Sequence, residues 1–405
     1  MKKCRICETP IEPFISFGRM PIANGFLSSD QFKDEYFFEL EAAFCSNCAM
    51  VQLIEQPDPE KMFHENYAFF SGTSKSMAIH FKEFAEHVKK DYLASKDPFV
   101  VELGCNDGIM LQHFANSGIN HLGIEPSANV AKAANEKGVR TISGFFGESL
   151  AKDIVKKYGQ ADAFLGANVM CHIPDFNSVV AGIKILLKTD GIVMFEDPYL
   201  GDVIEKTSYD QLYDEHVFLF SLFSIKYAFE KHGLELIDIE PQKTHGGSMR
   251  YVIAHKGARE VSKNVLDQYD KEKRLGLDKR ETYDMFRKNC ENSRDKLNNL
   301  LKDIKKQGKR VAGYAATSKS TTILNYCGIN SDLIEFISDT TPIKQGKFSP
   351  GMHIPVKPYE EFSKKYPEYA VLFAWNHAEE ILTKEQNFKS AGGKWVVFVP
   401  GVKVL

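Results

Sequence analysis

Val101-Glu102-Leu103-Gly104-Cys105-Asn106-Asp107-Gly108 decides the fold of this chain. An apolar run over 98–104 ends in a glycine turn, after which Ile109-Met110-Leu111 resumes at helical spacing. Glycine lets backbone approach a ligand closely, and a helix N-terminus offers free amides. Strand, glycine turn and helix in that order predict the opening unit of a doubly wound α/β sheet. About 20 residues on, a second strand over 120–124 ends at Glu125, where a carboxylate can take both ribose hydroxyls of a nucleotide. Further strands are predicted at 140–145, 161–167 and 191–196, and an antiparallel pair at 233–239 and 248–254 closes the sheet edge.

The loop lacks G-x-G-x-x-G, so the close approach to a pyrophosphate is not provided, and Asp107 would oppose one electrostatically. A cationic sulfonium and ammonium tolerate that carboxylate, which favours S-adenosylmethionine (SAM) over a dinucleotide. Candidate cofactor contacts are Gly104, Asn106, Asp107, Gly108, Glu125, Pro126 and Asn168. Phe145 and Phe146 follow the third strand and are candidates to flank adenine, Phe146 foremost, with core packing as the other account of both.

Upstream, Cys4-Arg5-Ile6-Cys7 and Cys45-Ser46-Asn47-Cys48 present two thiolates each from a tight knuckle. Together they fill the tetrahedron that Zn²⁺ accepts and leave no position for water, so the metal is expected to be structural. Cys105, Cys171, Cys290 and Cys327 stand singly in apolar stretches and read as core residues. The start, Met1-Lys2-Lys3-Cys4, leaves no room for a secretory apolar segment, and no uncharged run is long enough to span a bilayer. The expected compartment is the cytoplasm, where thiols stay reduced.

At 405 residues the chain exceeds one ordinary domain, and its 43% hydrophobic content fills ordinary cores. A net charge of -3 supplies no general attraction for nucleic acid or anionic membrane. The expected organisation is a zinc-binding domain (1–70), a SAM-binding domain (71–256), linking helices (257–308) and a second Rossmann-like α/β domain (309–405). The linker is dense in charge with apolar residues at helical spacing. The last part has candidate strands at 309–315, 333–338, 369–375 and 394–399.

Two further stretches carry proton chemistry: Tyr213-Asp214-Glu215-His216 and Thr244-His245-Gly246-Gly247-Ser248-Met249-Arg250. SAM readily methylates a lone pair on oxygen, nitrogen or sulfur. A saturated carbon must first lose a proton, and a neighbouring ketone makes this feasible by spreading the charge as an enolate. Such a site needs a base and donors at the enolate oxygen. His216 is the leading base because imidazole titrates near neutrality. Glu215 either orients it or takes the proton itself. Tyr213 and His172 are the candidate donors. His245 shapes a turn or touches substrate, and Arg250 pairs with a substrate anion or with a protein carboxylate.

The whole resembles the SAM-dependent sugar C-methyltransferases that make branched deoxysugars from nucleotide-linked 4-ketohexoses. The resemblance rests on the four paired cysteines, Phe69-Phe70-Ser71-Gly72-Thr73-Ser74, the glycine loop, Tyr213-Asp214-Glu215-His216 and His245-Gly246-Gly247-Ser248. It continues through Leu324-Asn325-Tyr326-Cys327-Gly328-Ile329, Lys344-Gln345-Gly346-Lys347, Pro350-Gly351-Met352-His353-Ile354-Pro355 and Ala374-Trp375-Asn376. It implies methylation at C-3 beside a C-4 ketone, with His216 as base and Tyr67 at the active site. It also implies a C-terminal domain that helps hold the sugar nucleotide. Gly313-Tyr314-Ala315-Ala316-Thr317-Ser318-Lys319-Ser320 departs from the family's more glycine- and alanine-rich loop. Thr317, Ser318 and Lys319 still suit phosphate, as does Lys344. The carrier therefore stays open among dTDP, the family's best-known one, GDP and CDP. The competing functions are O- or N-methyl transfer on the same scaffold, a dehydrogenase built on two Rossmann-like units, and a non-catalytic protein that binds SAM or a sugar nucleotide.

Overall fold

The first two cysteines lie in a turn between two short antiparallel strands, β1 (Lys2–Lys3) and β2 (Pro10–Ile11). A second antiparallel sheet follows, made of β3 (Pro13–Pro21), β4 (Phe37–Phe44) and β5 (Val51–Leu53), and the other two cysteines occupy the β4–β5 turn. The four sulfurs lie within 4.8 Å of one another, with Cys4–Cys48 at 3.5 Å and Cys7–Cys45 at 3.4 Å. Zn–S bonds of about 2.3 Å put tetrahedral sulfurs about 3.8 Å apart, so the cluster fits the metal with a small expansion. Cys4 Sγ also accepts from Gln52 Nε2 at 3.0 Å and the Ile6 amide at 3.4 Å, as a metal-bound thiolate does. The computed structural model describes residues 2–57 and 75–405, with side chains of the second stretch from Met77 onward.

A helix over Lys75–Asp91 leads into the central sheet. Its strands are β6 (Phe99–Leu103), β7 (Asn120–Glu125), β8 (Thr141–Ser143), β9 (Ala161–Ala167) and β10 (Leu187–Pro198). After a two-residue strand, β11 (Phe218–Leu219), that joins β5, come β12 (Leu234–Gln242) and β13 (Ser248–His255). Among the described residues the order is β12-β13-β10-β9-β6-β7-β8, with β13 antiparallel to both neighbours and the other pairs parallel. Strand order reverses at β6, so the crevice outside the carboxyl ends of β6 and β9 is where such a sheet takes its ligand.

Two local expectations change. The helix after the glycine loop begins only at Gln112 and ends at Ala115. Ile109, Met110 and Leu111 are buried turn residues, because Gly108 at φ +80° closes a turn back onto the Cys105 carbonyl first. The third strand is also shorter than 140–145, spanning Thr141–Ser143, with the Gly144 amide making a last contact to the Glu125 carbonyl at 3.3 Å.

The linker is two helices, Lys263–Leu275 and Arg280–Lys306, separated at left-handed Gly276. Glu272 anchors the first. It is fully buried, accepts from Tyr199 Oη (2.9 Å) and the Leu222 amide (2.8 Å), and burial pushes its carboxyl up to about 7. Beyond lie β14 (Val311–Tyr314), β15 (Ile337–Ser338), β16 (Val356–Lys357), β17 (Tyr369–Leu372), β18 (Lys394–Val397) and β19 (Lys403–Val404). Their order is β16-β15-β14-β17-β18-β19, parallel except for β19. Cys105, Cys171, Cys290 and Cys327 are buried as expected. Among the described residues no helix is long and apolar enough to cross a membrane.

Because the metal ties residues 4–7 to 45–48, losing one thiolate releases both knuckles. Cys45→Ser is expected to purify with less than one zinc per chain by metal analysis and to melt at least about 5 °C lower, with precipitation on mild heating.

Candidate active site

The glycine loop holds its shape through left-handed backbone. Gly104 sits at φ +63°, and a Cβ there would come within 2.6 Å of Val169, so the β6 and β9 loops close on each other only with glycine. Asn106 at φ +49° donates its amide to Glu125 Oε2 at 3.1 Å, and the Ser127 amide reaches Oε1 at 2.9 Å. Asp107 pairs through Oδ2 with Lys137 at 2.7 Å, while its buried Oδ1 has no partner. Asn168, at φ +54° beyond β9, likewise turns an unpartnered buried Oδ1 toward the interior. Unfilled acceptor oxygens at the ends of β6 and β9 fit a cationic cofactor such as SAM. Phe146 is turned into the core against Phe164 (centroids 5.1 Å apart), whereas Phe145 is 68% exposed. Pro126 directly follows Glu125, where the loop from β7 enters the helix over Ala128–Glu136.

Around His216 the chain is buried without regular structure. Nδ1 faces the Gln211 carbonyl at 2.8 Å and so carries the hydrogen, which leaves Nε2 to accept from Tyr213 Oη at 2.9 Å. The His172 ring lies 5.2 Å from the His216 ring. Burial, with His172 and Lys319 nearby, holds the His216 imidazole well below its usual range. His172 is lowered to about 4 by burial. Both rings are neutral at physiological pH. Glu215 Oε1 accepts from Asn24 Nδ2 at 2.7 Å, and Asp214 Oδ1 from the Ala23 amide at 3.1 Å; burial raises both carboxyls.

The C-terminal unit supplies the facing wall. Thr317 caps the helix over Ser318–Cys327 by accepting from the Ser320 amide. Lys319 Nζ lies 3.3 Å from the His245 carbonyl, and Gln211 Nε2 donates to that same oxygen at 2.6 Å. Burial lowers the Lys319 ammonium to about 8 and raises the nearby Asp210 carboxyl to about 6. Trp375 Nε1 donates to Asp210 Oδ2 at 2.6 Å. Lys344 Nζ donates to the Ala316 carbonyl at 2.8 Å. Ser318 Oγ donates to Asn24 Oδ1 at 2.8 Å.

Three family models match along the chain: a zinc binding domain over residues 4–63, a methyltransferase domain over 77–239, and a C-methyltransferase C-terminal domain over 243–400. C-methyltransferase NovU from Streptomyces niveus is 32% identical over 406 aligned positions, covering 100% of this chain and 96% of that protein. The chain belongs to the SAM-dependent C-methyltransferase family. A ubiquinone biosynthesis O-methyltransferase from Actinobacillus pleuropneumoniae is 31% identical over 105 residues, covering 24% of this chain and 44% of that one. A solved SAM-dependent methyltransferase from Anabaena variabilis superposes with a TM-score of 0.40 at 15% identity, covering 50% of this chain and 98% of that one.

In this C-methyltransferase the expected residues Tyr213, Glu215, His216, His172, His245 and Lys319 gather in one place, and Ser318 and Lys344 join them through Asn24 and Glu215. Arg250 stands apart. It is buried, pairs with Glu196 at 3.0 Å and Glu240 at 2.8 Å, and stacks on Phe84 with its guanidinium carbon 3.9 Å from the ring centre. Tyr67 and Phe69-Phe70-Ser71-Gly72-Thr73-Ser74 lie outside the described residues. Three residues at this place escaped sequence reasoning, Asn24, Asp210 and Gln211, while Trp375 was singled out only within Ala374-Trp375-Asn376, with no role given to its indole. Asn24, Asp210 and Gln211 carry no local motif, although Asp210 and Gln211 lie just before the Tyr213 stretch.

Gly246, at φ +88°, is where the two α/β units of this C-methyltransferase press together, since a Cβ would lie 2.2 Å from the Trp375 ring. Gly246→Ala must displace that indole from Asp210. It is expected to cost about 1–3 kcal/mol in urea unfolding. A shift in tryptophan emission should accompany it, since Trp375 is one of only two tryptophans.

Proposed function

We propose that this enzyme methylates C-3 of a nucleotide-linked 4-keto-6-deoxyhexose through an enolate, with His216 as the base. The observation that carries this reading is the line Gln211 carbonyl, His216 Nδ1–H, His216 Nε2, Tyr213 Oη, buried beside oxygens that suit a cationic cofactor. The Gln211 carbonyl fixes the tautomer, so Nε2 keeps a lone pair, and burial keeps the ring uncharged. A substrate carbonyl that draws the Tyr213 hydroxyl to itself frees that lone pair. The C-3 proton then passes to Nε2, and the electron pair of the broken C–H bond moves onto the C-4 oxygen, stabilised by Tyr213 and His172. SAM held at the β6 and β9 loops would supply the electrophilic methyl group that the carbon nucleophile needs. His216 later returns its proton to solvent. Glu215 orients the cluster or shares the proton.

Thr317, Ser318, Lys319 and Lys344, with His245, are the proposed contacts for the diphosphate and sugar; a helix N-terminus flanked by two ammonium groups suits that charge. dTDP is the expected carrier, and GDP and CDP sugars are the other arms of the test. Glu125, Asn106, Asp107, Gly108, Gly104, Pro126 and Asn168 are proposed to hold SAM. Adenine is assigned to exposed Phe145, since Ser143 of β8 lies opposite Glu125 of β7 and Phe145 follows two residues later. Full-length overlap with NovU supports carbon as the methyl acceptor. Thiolate ligation of a structural metal suits a cytoplasmic location.

The direct test is incubation with SAM and a panel of 4-keto-6-deoxy nucleotide sugars, with product mass and NMR. A single added methyl on C-3 is the expected product, and a methyl on oxygen or nitrogen sinks the reading. His216→Ala should lower turnover at least about 10²-fold while calorimetry shows unchanged SAM affinity; near-wild-type turnover removes it from the base role. Phe145→Ala should weaken SAM about three- to ten-fold, the worth of one aromatic stacking contact.

A further inference from the structure

The zinc-bearing N-terminal part does more than anchor itself. Its chain leaves β3, makes a tight turn in which the Gly25 amide reaches the Ile22 carbonyl at 3.0 Å, and pushes Ala23-Asn24 into the seam between the two α/β units. The Ala23 amide donates to Asp214, and its carbonyl accepts from Thr321 Oγ1 at 2.9 Å. Asn24 follows, exposed to solvent, with both ends of its amide engaged. Nδ2 donates to Glu215 Oε1 at 2.7 Å, and Oδ1 accepts from Ser318 Oγ at 2.8 Å. An ionised carboxylate only accepts, so the amide must present nitrogen to Glu215, and the serine hydroxyl then donates to its oxygen. Farther along, Glu35 accepts from the Gly351 amide and from His353 Nε2, both at 2.7 Å, and clasps the loop to the C-terminal unit.

We infer that Asn24 is a positioning residue for the reaction: it orients the Glu215 carboxylate beside His216 and ties that carboxylate to the N-terminus of the helix over Ser318–Cys327. This rests on the reading of the Tyr213–His216 cluster as the proton-handling centre. Only an amide meets both demands, since Asp cannot donate and Ser is too short to bridge. The groups facing Glu215 are Asp214 in its own segment, Lys344 from the C-terminal unit and Cys171 after β9. The Asn24 hydrogen bond lowers the Glu215 carboxyl against the burial that raises it. Removing the donor therefore raises that carboxyl further, and a reaction needing it ionised loses activity at higher pH than before.

The test uses the full-length, zinc-loaded enzyme with SAM and its sugar nucleotide. Asn24→Ala is expected to lower kcat about ten- to hundred-fold and to move the acid limb of the kcat/KM profile up by about one pH unit. Zinc content and SAM affinity should stay at wild-type values. Asn24→Asp, which sets a second carboxylate against Glu215, should lose more. Ser318→Ala, which frees the far end of the amide, should shift the limb in the same direction by less, and serves if Asn24→Ala does not fold. An acid limb that stays in place overturns the inference whether or not kcat falls, because a purely structural contact would leave it there. Glu215→Gln separates the two levels. If it is inactive while Asn24→Ala matches wild type, only this inference fails; if His216→Ala is fully active, the proton-handling reading itself fails.

Discussion

A buried segment without regular structure sets the terms for everything around it. Residues 208–221 are all buried, yet only Tyr209–Gln211 and Phe218–Leu219 within them belong to short helix or strand elements. Backbone polar groups removed from water must find partners, and a segment outside ladders has to find them elsewhere. Here the partners come from all three parts of the molecule. His216 Nδ1 takes the Gln211 carbonyl, Thr322 Oγ1 takes the Leu212 carbonyl at 2.9 Å, and β5 pairs with Phe218–Leu219. Satisfying this stretch draws the zinc-bearing sheet, the central sheet and the C-terminal helix onto one seam, and the site lies along it.

The same enclosure sets the protonation states. Burial favours neutral forms, so the imidazoles of His216, His172 and His245 are pushed down while the carboxyls of Asp210, Asp214 and Glu215 are pushed up. With Nδ1 committed to the Gln211 carbonyl, a neutral His216 imidazole keeps its lone pair on Nε2. Positive charge comes instead from Lys319 and Lys344 of the C-terminal unit, and a separate charged hub forms at Glu196 inside the central sheet. Glu196 accepts from Arg250, from His80 Nε2 at 3.0 Å and from Thr244 Oγ1 at 2.7 Å, and these bonds hold its carboxyl at about 2. Arg250 is thereby spent on holding strands together, and the Thr244 bond to Glu196 steadies the turn that carries His245.

What the sequence determined by itself are the features whose physics is local. Paired thiols three residues apart make a knuckle wherever they occur, and a glycine turn after an apolar run makes a strand–loop–helix. Runs such as residues 161–167 and 248–254 became strands within a residue of their expected ends. Tyr213 and His216, three apart, could reach each other without help from elsewhere. The direction of Phe145 and Phe146 was not local: adjacent residues leaving a short strand point opposite ways, and only the packing against Phe164 decides which is buried. Nor were the contacts across the seam. Asn24 meets Glu215 across 191 residues, and Trp375 meets Asp210 across 165. No periodicity or spacing encodes such a pair, because the distance between them is set by how three separately folded layers come together. Tertiary structure alone decided that the Tyr213–His216 stretch would meet one asparagine from the N-terminal sheet and lysines from the C-terminal unit.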